Sequence, residues 1–264
     1  MFWLTMIALL SPTKTLDWTT PAPVAPRRTP RFLSESAPVA ERLRELNVDQ
    51  LSELFGVKEK TAAVAYHRMQ NWNTAAHEQD GARPALYAFS GPVYRAMDPW
   101  SFDTTELEYA QSSFLILSGL YGILSPLDGI LPYRLDMGAA IPSPEGGKLT
   151  DYWKDRVTDA VERAAEQSGS QAVLNLASKE YAAAVDAGKL SVPLIECRFE
   201  ELKGGEYRQV RNQIKRARGL MASHLARSGA RTLDDARTFR LDGYSYHPER
   251  SDEHTLVFAK DGGS

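Results

Sequence analysis

Ser118-Gly119-Leu120-Tyr121-Gly122-Ile123-Leu124-Ser125-Pro126-Leu127-Asp128-Gly129-Ile130-Leu131-Pro132-Tyr133-Arg134-Leu135-Asp136-Met137-Gly138 is the stretch on which the reading of this chain turns. Its four glycines and two prolines, set among large aliphatics, rule out one continuous helix or one plain strand. Glycine permits close backbone approach or positive φ, proline stiffens the path, and the apolar residues pin the segment to a core. Arg134 and Asp136 are then left available, so the stretch reads as a built loop that carries a site. The same composition also fits a buried crossover whose glycines serve turns and whose Arg134 pairs with Asp136.

Composition bounds what such a loop can serve. With 264 residues, 43% of them hydrophobic, the chain can fill the core of one large domain or two small ones. A formal charge of -3 gives no global attraction to nucleic acid, so any such contact must come from a local basic surface. The single cysteine, Cys197, excludes an internal disulfide and a multi-cysteine metal site, as suits a reducing compartment. It lies in the apolar run 194–199 and reads as a small core residue of a strand. His247 and His254 flank acidic residues without compact ligand spacing, so neither a metal nor another cofactor is expected. Residues 1–10 lack a basic leader and a small-residue cleavage site and are too short to span a bilayer. They read as the buried first strand of a cytoplasmic protein with no membrane contact.

Upstream of the central stretch, the loop 11–17 leaves that first strand, and Lys14 in it is a candidate for binding a phosphate or carboxylate. Ser11 and Lys14 also match the Ser-x-x-Lys of penicillin-binding enzymes, but neither Ser-Asp-Asn nor Lys-Thr-Gly is present downstream, which argues against acyl transfer. Residues 19–38 are rich in proline and arginine (Arg27, Arg28, Arg31) and read as an extended surface segment. Between 43 and 69 the apolar spacing turns helical, with Asn47 or Asp49 as a cap and Gly56 as a stop. Residues 54–62 resemble a helix-hairpin-helix, although Lys58 stands where that motif prefers its second glycine. Lys58 and Lys60 there are either phosphate contacts or solvated lysines of an ordinary helical hairpin. A short buried strand is expected over 86–89, and a helix capped by Thr104 or Thr105 that carries Leu107, Ala110, Phe114 and Leu117.

Downstream, a helix beginning near Trp153 should stop near Gly169, and a buried strand is expected over 172–176. Asn175 and Ser178 are available to cap the next helix, and Glu180 and Tyr181 are candidates for a site. A hairpin is expected over 194–202 and 206–210, then a helix over 212–227. Near the start of that helix Lys215, Arg216 and Arg218 lie beside Gly219, with Arg208 and Arg211 just upstream, making the strongest basic cluster of the chain. A strand over 255–258 closes the sequence, and no internal repeat is present.

The central stretch resembles the SGLYG…PLD…PYRL…MG signature of the YaaA family of peroxide-stress proteins. Residues 11–17, Asn175-Leu176-Ala177-Ser178-Lys179-Glu180-Tyr181 and Lys215-Arg216-Ala217-Arg218-Gly219-Leu220-Met221 resemble further family motifs in the same order, so the similarity covers nearly the whole chain. It departs at Thr13, at Ser90 in place of the usual lysine, and at Ser125, a position that is commonly basic. The resemblance implies an α+β (mixed α/β) single domain over 1–264, with helices around a mixed sheet, a basic cleft and a helix-hairpin-helix-like element over 43–69. It implies DNA binding during hydrogen peroxide stress, with Lys14, Arg134, Lys215, Arg216 and Arg218 lining the cleft. Lys58 and Lys60 would touch the phosphates of duplex or distorted DNA, without sequence readout. The alternative is an enzyme of a metabolic or biosynthetic pathway acting on a nucleobase-, nucleotide- or other anionic small molecule. In it Asp128, Asp136, Glu180 and Tyr181 would move protons. The missing cations at Ser90 and Ser125 favour this alternative. Both readings require distant segments to converge on one positively charged pocket.

Overall fold

Ile7–Leu10 carries no polar face, and in the computed structural model, which describes residues 6–78 and 81–261, it forms the fully buried strand β1. The first five residues of the expected opening strand lie outside the described residues. A strand apolar on both faces belongs at the centre of a covered sheet. After β1 come helices α1 (Leu33–Arg44), α2 (Val48–Phe55) and α3 (Glu59–Asn71), the two-residue strand β2 (Arg83–Pro84), and helices α4 (Ala85–Ala88), α5 (Pro92–Met97) and α6 (Thr104–Ser113). Strands β3 (Phe114–Ser118), β4 (Gly122–Leu124) and β5 (Gly129–Ile130) precede the long helix α7 (Leu149–Ser168), β6 (Val173–Asn175) and α8 (Lys179–Ala182). The chain ends through the hairpin β7 (Leu194–Lys203) and β8 (Glu206–Arg208), α9 (Arg211–Ser228), α10 (Leu233–Arg237), β9 (Tyr244–Tyr246) and β10 (Thr255–Lys260).

The main sheet runs β4-β3-β1-β6-β7-β10-β9, with β8 also paired to β7. β3, β1, β6, β7 and β10 are mutually parallel, while β4, β8 and β9 join antiparallel. The architecture is therefore a mixed α/β single domain with a mostly parallel sheet flanked by helices. From β1 the chain crosses to β3 on one side, whereas β6 leads on to β7 on the other. The carboxyl ends of β1 and β6 thus flank a topological switch point, where open parallel sheets leave a crevice. Among the described residues no helix is long and apolar enough to cross a membrane.

Local chemistry explains where the elements begin and end. Asn47 caps α2 through a reciprocal pair with Gln50, and Gly56 closes that helix at φ 58°, a left-handed value that suits glycine. The cap of α6 is Asp103, paired with Glu106, and not Thr104 or Thr105, because a carboxylate one residue earlier reaches the third helical N–H. The same helix ends at Ser113, so Phe114 and Leu117 belong to β3. Over 86–89 the expected strand is instead a single helical turn, with only Phe89 bridging Leu16. A short run that is apolar at every position has no period to separate the two forms. The proline-rich segment is extended only in part, since α1 takes over at Leu33 and contains Pro38. Its middle is bound to the central stretch: Arg27 N–H donates to Leu127 O (2.9 Å) and Gly129 N–H to Arg28 O (2.8 Å).

The central stretch hangs on two buried aromatic residues. Trp153 of α7 lies against Gly122 and donates its Nε1–H to Gly119 O (2.8 Å). The Tyr121 hydroxyl receives Trp72 Nε1–H (2.8 Å) and Leu131 N–H (3.1 Å) and lies 3.0 Å from His77 Nε2. A phenol accepts at most two hydrogen bonds, so its own proton goes to His77 Nε2 and the imidazole N–H resides on Nδ1, facing Asn73 O (2.9 Å). His77 is consequently neutral, and burial holds its pKa below the ordinary imidazole value.

Candidate functional site

β1 ends at Leu10 and the chain turns through Ser11-Pro12-Thr13-Lys14, while β6 ends at Asn175 and turns toward α8. The two turns are tied together where Ser178 N–H donates to Ser11 Oγ (2.8 Å). The third wall comes from residues 131–137. There Leu131, Tyr133, Leu135 and Met137 are buried, while Pro132, Arg134 and Asp136 lie nearer the surface. This period of two is what an extended path with one buried face produces. Close packing of the path on the end of β3 depends on Gly119, because a Cβ there would come within 2.7 Å of Leu135 O.

These three segments enclose a recess lined by Lys14, Tyr133, Arg134, Asp136 and Tyr181, with Pro12, Thr13 and Leu135. Its volume is about 10 Å³, near the lower limit for a single water. Asp136 fills it electrostatically: Oδ2 meets Lys14 Nζ at 2.6 Å and Oδ1 accepts the Tyr181 hydroxyl at 3.2 Å. Burial first, and the adjacent Asp136 charge second, push the Tyr181 pKa well up, so this phenol is a proton donor to the carboxylate. Glu180, next to Tyr181 but outside the lining, is exposed, and its Oε1 accepts Gly138 N–H (3.1 Å). Tyr133 is anchored from below by a 2.7 Å hydrogen bond with Ser118 Oγ. Lys14, not Arg134, is the ion-pair partner of Asp136, so the internal Arg134–Asp136 pairing considered from composition does not form.

Arg134, although it lines the recess, takes no part in the Asp136 pairing. Its guanidinium lies 5.5 Å from the Phe55 ring at the end of α2, and its Nε is buried without a hydrogen-bond partner. Arg68 of α3 stands near enough to be destabilised by the Arg134 charge, after burial, its main cost. Among the described residues neither arginine has an ion-pair partner. Arg68 was not singled out from the sequence, where it is one more cation on an amphipathic helix; only its tertiary position beside Arg134 marks it. Lys58 and Lys60, at the cap and first turn of α3, are exposed and likewise unpaired among the described residues. Cations at a helix N-terminus oppose the helix dipole, a cost that a bound anion relieves.

The remaining candidates lie elsewhere. On α9, Lys215 and Arg216 are exposed and Arg216 pairs with Asp242 (3.1 Å). Arg218 is packed toward β7 near Glu196, with its Nε unpartnered and its charged form disfavoured mainly by burial. α9 is seated on α5 at Gly219, where a Cβ would collide with Val93 O. Among the described residues no hydrogen bond or ion pair links these three cations to Lys14 or Arg134. Asp128 is buried apart from the recess, held by Arg28 Nε (2.7 Å) and by Ser125 N–H (2.8 Å). Ser125 therefore also lies away from the recess, whereas Ser90 N–H donates to Thr15 O (2.9 Å) in the turn beyond Lys14. Cys197 is buried in β7, and burial pushes its thiol pKa well up. Among the described residues no three His, Cys, Asp or Glu side chains gather as metal ligands would.

Comparison with known proteins identifies relatives along nearly the whole chain. The family profile described as "Peroxide stress protein YaaA" matches residues 6–250. A UPF0246 protein of Hahella chejuensis is 39% identical over 256 residues, covering 97% of this chain and 100% of the relative. One from Delftia acidovorans is 40% identical over 258 residues, covering 97% and 98%, and one from Aliivibrio fischeri strain MJ11 is 36% identical over 256 residues, also covering 97% and 98%.

Proposed function

The chain belongs to the peroxide stress protein YaaA family, and from that premise we propose that it is a cytoplasmic protein of the peroxide response that binds DNA through its phosphates. In this reading Lys14 and Arg134 at the recess, with Arg68 beside them, continue to Lys58 and Lys60 at the helical hairpin, which acts as a helix-hairpin-helix. Lys215, Arg216 and Arg218 of α9 supply further contacts. The partner is duplex or distorted DNA, and no recognition helix reads its bases. The observation that supports the reading is the pair Arg134 and Arg68: two partly buried guanidiniums, one resting on Phe55 of the hairpin, with no carboxylate partner among the described residues. Like charges held together in this way favour an anion between them.

The test is a fluorescence-anisotropy titration with labelled duplex DNA at several salt concentrations. Log affinity should fall linearly with log salt, with a slope of about 0.9 per phosphate neutralised. Arg134→Ala and Arg68→Ala should each weaken binding and reduce the slope by about one. Absent binding, or binding indifferent to salt, refutes the reading.

A second reading is favoured by Asp136, whose two oxygens are shared between an ammonium and a phenol at the switch point of a parallel sheet. We propose as the alternative an enzyme of a metabolic or biosynthetic pathway acting on an anionic, nucleobase-like or nucleotide-like small molecule. Lys14 would hold the anion, and Asp136 and Tyr181, with Glu180 at the rim, would pass protons. The recess must open for this, so substrate would displace Lys14 from Asp136. Thermal-shift measurements separate the two readings: stabilisation by millimolar nucleobases or nucleotides but not by DNA selects the enzyme.

A further inference from the structure

A second hollow lies at the other end of the central stretch, along the outer edge of the sheet, with a volume of about 400 Å³. That lies within the range of small-molecule sites, roughly 300–1,000 Å³. Its floor is apolar, formed by Leu115 of β3, Leu124 of the edge strand β4 and Ala164 of α7. Its rim is cationic, formed by Arg28 and Arg31 from the proline-rich segment.

The charge around this groove is not balanced. Asp128 is the buried carboxylate there, and both of its oxygens are committed, one to Arg28 Nε and one to Ser125 N–H. Arg28 also reaches Ser125 Oγ through its Nη2. Arg31 has no hydrogen bond or ion pair among the described residues; burial first, then Arg28 and Arg163, disfavour its charge, and the more distant Asp128 offsets this only in part. Gln111 accepts Leu127 N–H on its Oε1 (2.8 Å), which leaves its amide NH2 as a donor at the same wall. The groove therefore offers unspent donors and a positive charge above an apolar floor, with the one acid neutralised from within. The buried acid is already ion-paired with Arg28, and a groove of this volume has no room for a duplex.

We propose that this groove is a binding site for a small organic anion: a phosphate or carboxylate head held by Arg31 and the Gln111 amide, and an apolar or aromatic body laid over Leu115, Leu124 and Ala164. The site is independent of the Lys14 recess and of either reading of it. Arg28, fixed by Asp128, positions the wall, and Arg31 is the group that adjusts to the ligand.

The test uses the full chain and 8-anilinonaphthalene-1-sulfonate, an amphipathic aromatic anion whose fluorescence reports binding. One saturable site is expected. Arg31→Glu should weaken it by about tenfold or more, as loss of a charge-assisted contact does. Ala164→Trp, which fills the groove, should abolish it, while Arg240→Ala, an exposed charge elsewhere, should leave it unchanged. Arg31 is at the surface, so its variant should keep the parent circular dichroism spectrum and melting temperature. Competition identifies the head group: displacement by adenosine 5′-monophosphate marks a phosphate site, and displacement by 1-naphthoate a carboxylate site, either of which supports the proposal. Binding unaltered by both groove variants overturns it. So does equal displacement by neutral 2-naphthylmethanol, or no displacement by either anion.

Discussion

One stretch of chain builds two hollows that use the same device to opposite effect. At the carboxyl edge of β1 and β6, Asp136 divides its oxygens between Lys14 and Tyr181, and the space closes to about 10 Å³. At the outer edge by β4, Asp128 divides its oxygens between Arg28 and Ser125, and about 400 Å³ stays open beside it. The difference lies in what is left over. The first aspartate consumes the nearest cation, whereas the second is in direct contact with Arg28 alone and acts on Arg31 only from a distance. Density of signature residues therefore does not mark open volume, because where side chains are most completely matched to one another they also fill the room.

Removing the support that the two hollows share should have the largest effect. Trp153→Ala should cost about 3–5 kcal/mol, read from urea denaturation, because Trp153 carries both Gly119 and Gly122. A loss below about 1 kcal/mol would mean that the two hollows rest on separate supports. Gly119→Ala should cost about 1–3 kcal/mol through collision with Leu135 O. It should loosen the recess while sparing the dye affinity of the outer groove, and equal damage to both would show that they are mechanically one.

Acid should act on the recess side first. The folded pKa of His77 lies below the usual 6.5, chiefly through burial, so below pH 6.5 the unfolded chain takes up a proton that the folded chain refuses. Its contribution is thus fully present above pH 6.5. Stability should fall at up to about 1.4 kcal/mol per pH unit as pH drops from there toward the folded pKa. Hydrogen exchange at the Leu131 amide, which donates to Tyr121, should accelerate over that window ahead of the Gly129 amide. Simultaneous acceleration would instead indicate global opening. The smallest expected effect on stability, within about 1 kcal/mol, belongs to Asp136→Asn, since Lys14 is half-exposed. This change should nonetheless tighten DNA binding several-fold by freeing Lys14 for phosphate, and weaker binding would count against the DNA reading.

Much of the framework was legible in the sequence. Ile7–Leu10 and Val173–Asn175 announced buried strands, and the hairpin of β7 and β8 and the glycine stops at Gly56 and Gly169 stand where their chemistry put them. The failures came where periodicity is silent, at 86–89, and where one residue decides a cap, at Asp103. The sites were less legible. Alternation of apolar residues from Leu131 to Met137 was available to show that Arg134 and Asp136 share the outer side of the path. It could not show that Lys14 would claim Asp136 while Phe55 received Arg134. Nor does spacing reveal that Asp128 and Asp136, on a bent path, serve different hollows, or that Arg68 would arrive beside Arg134. Such pairings exist only after the sheet and helices have closed.

The Tyr121 hydroxyl joins Trp72, His77 and Leu131 at a single oxygen whose bonding capacity is full. Phenylalanine at that position would strand an indole N–H and an amide N–H in a dry interior. In the history of the family, the tyrosine, the tryptophan and the histidine should accordingly be inherited or replaced as a set, and a lineage that lost one would bear the mark of compensation in the others.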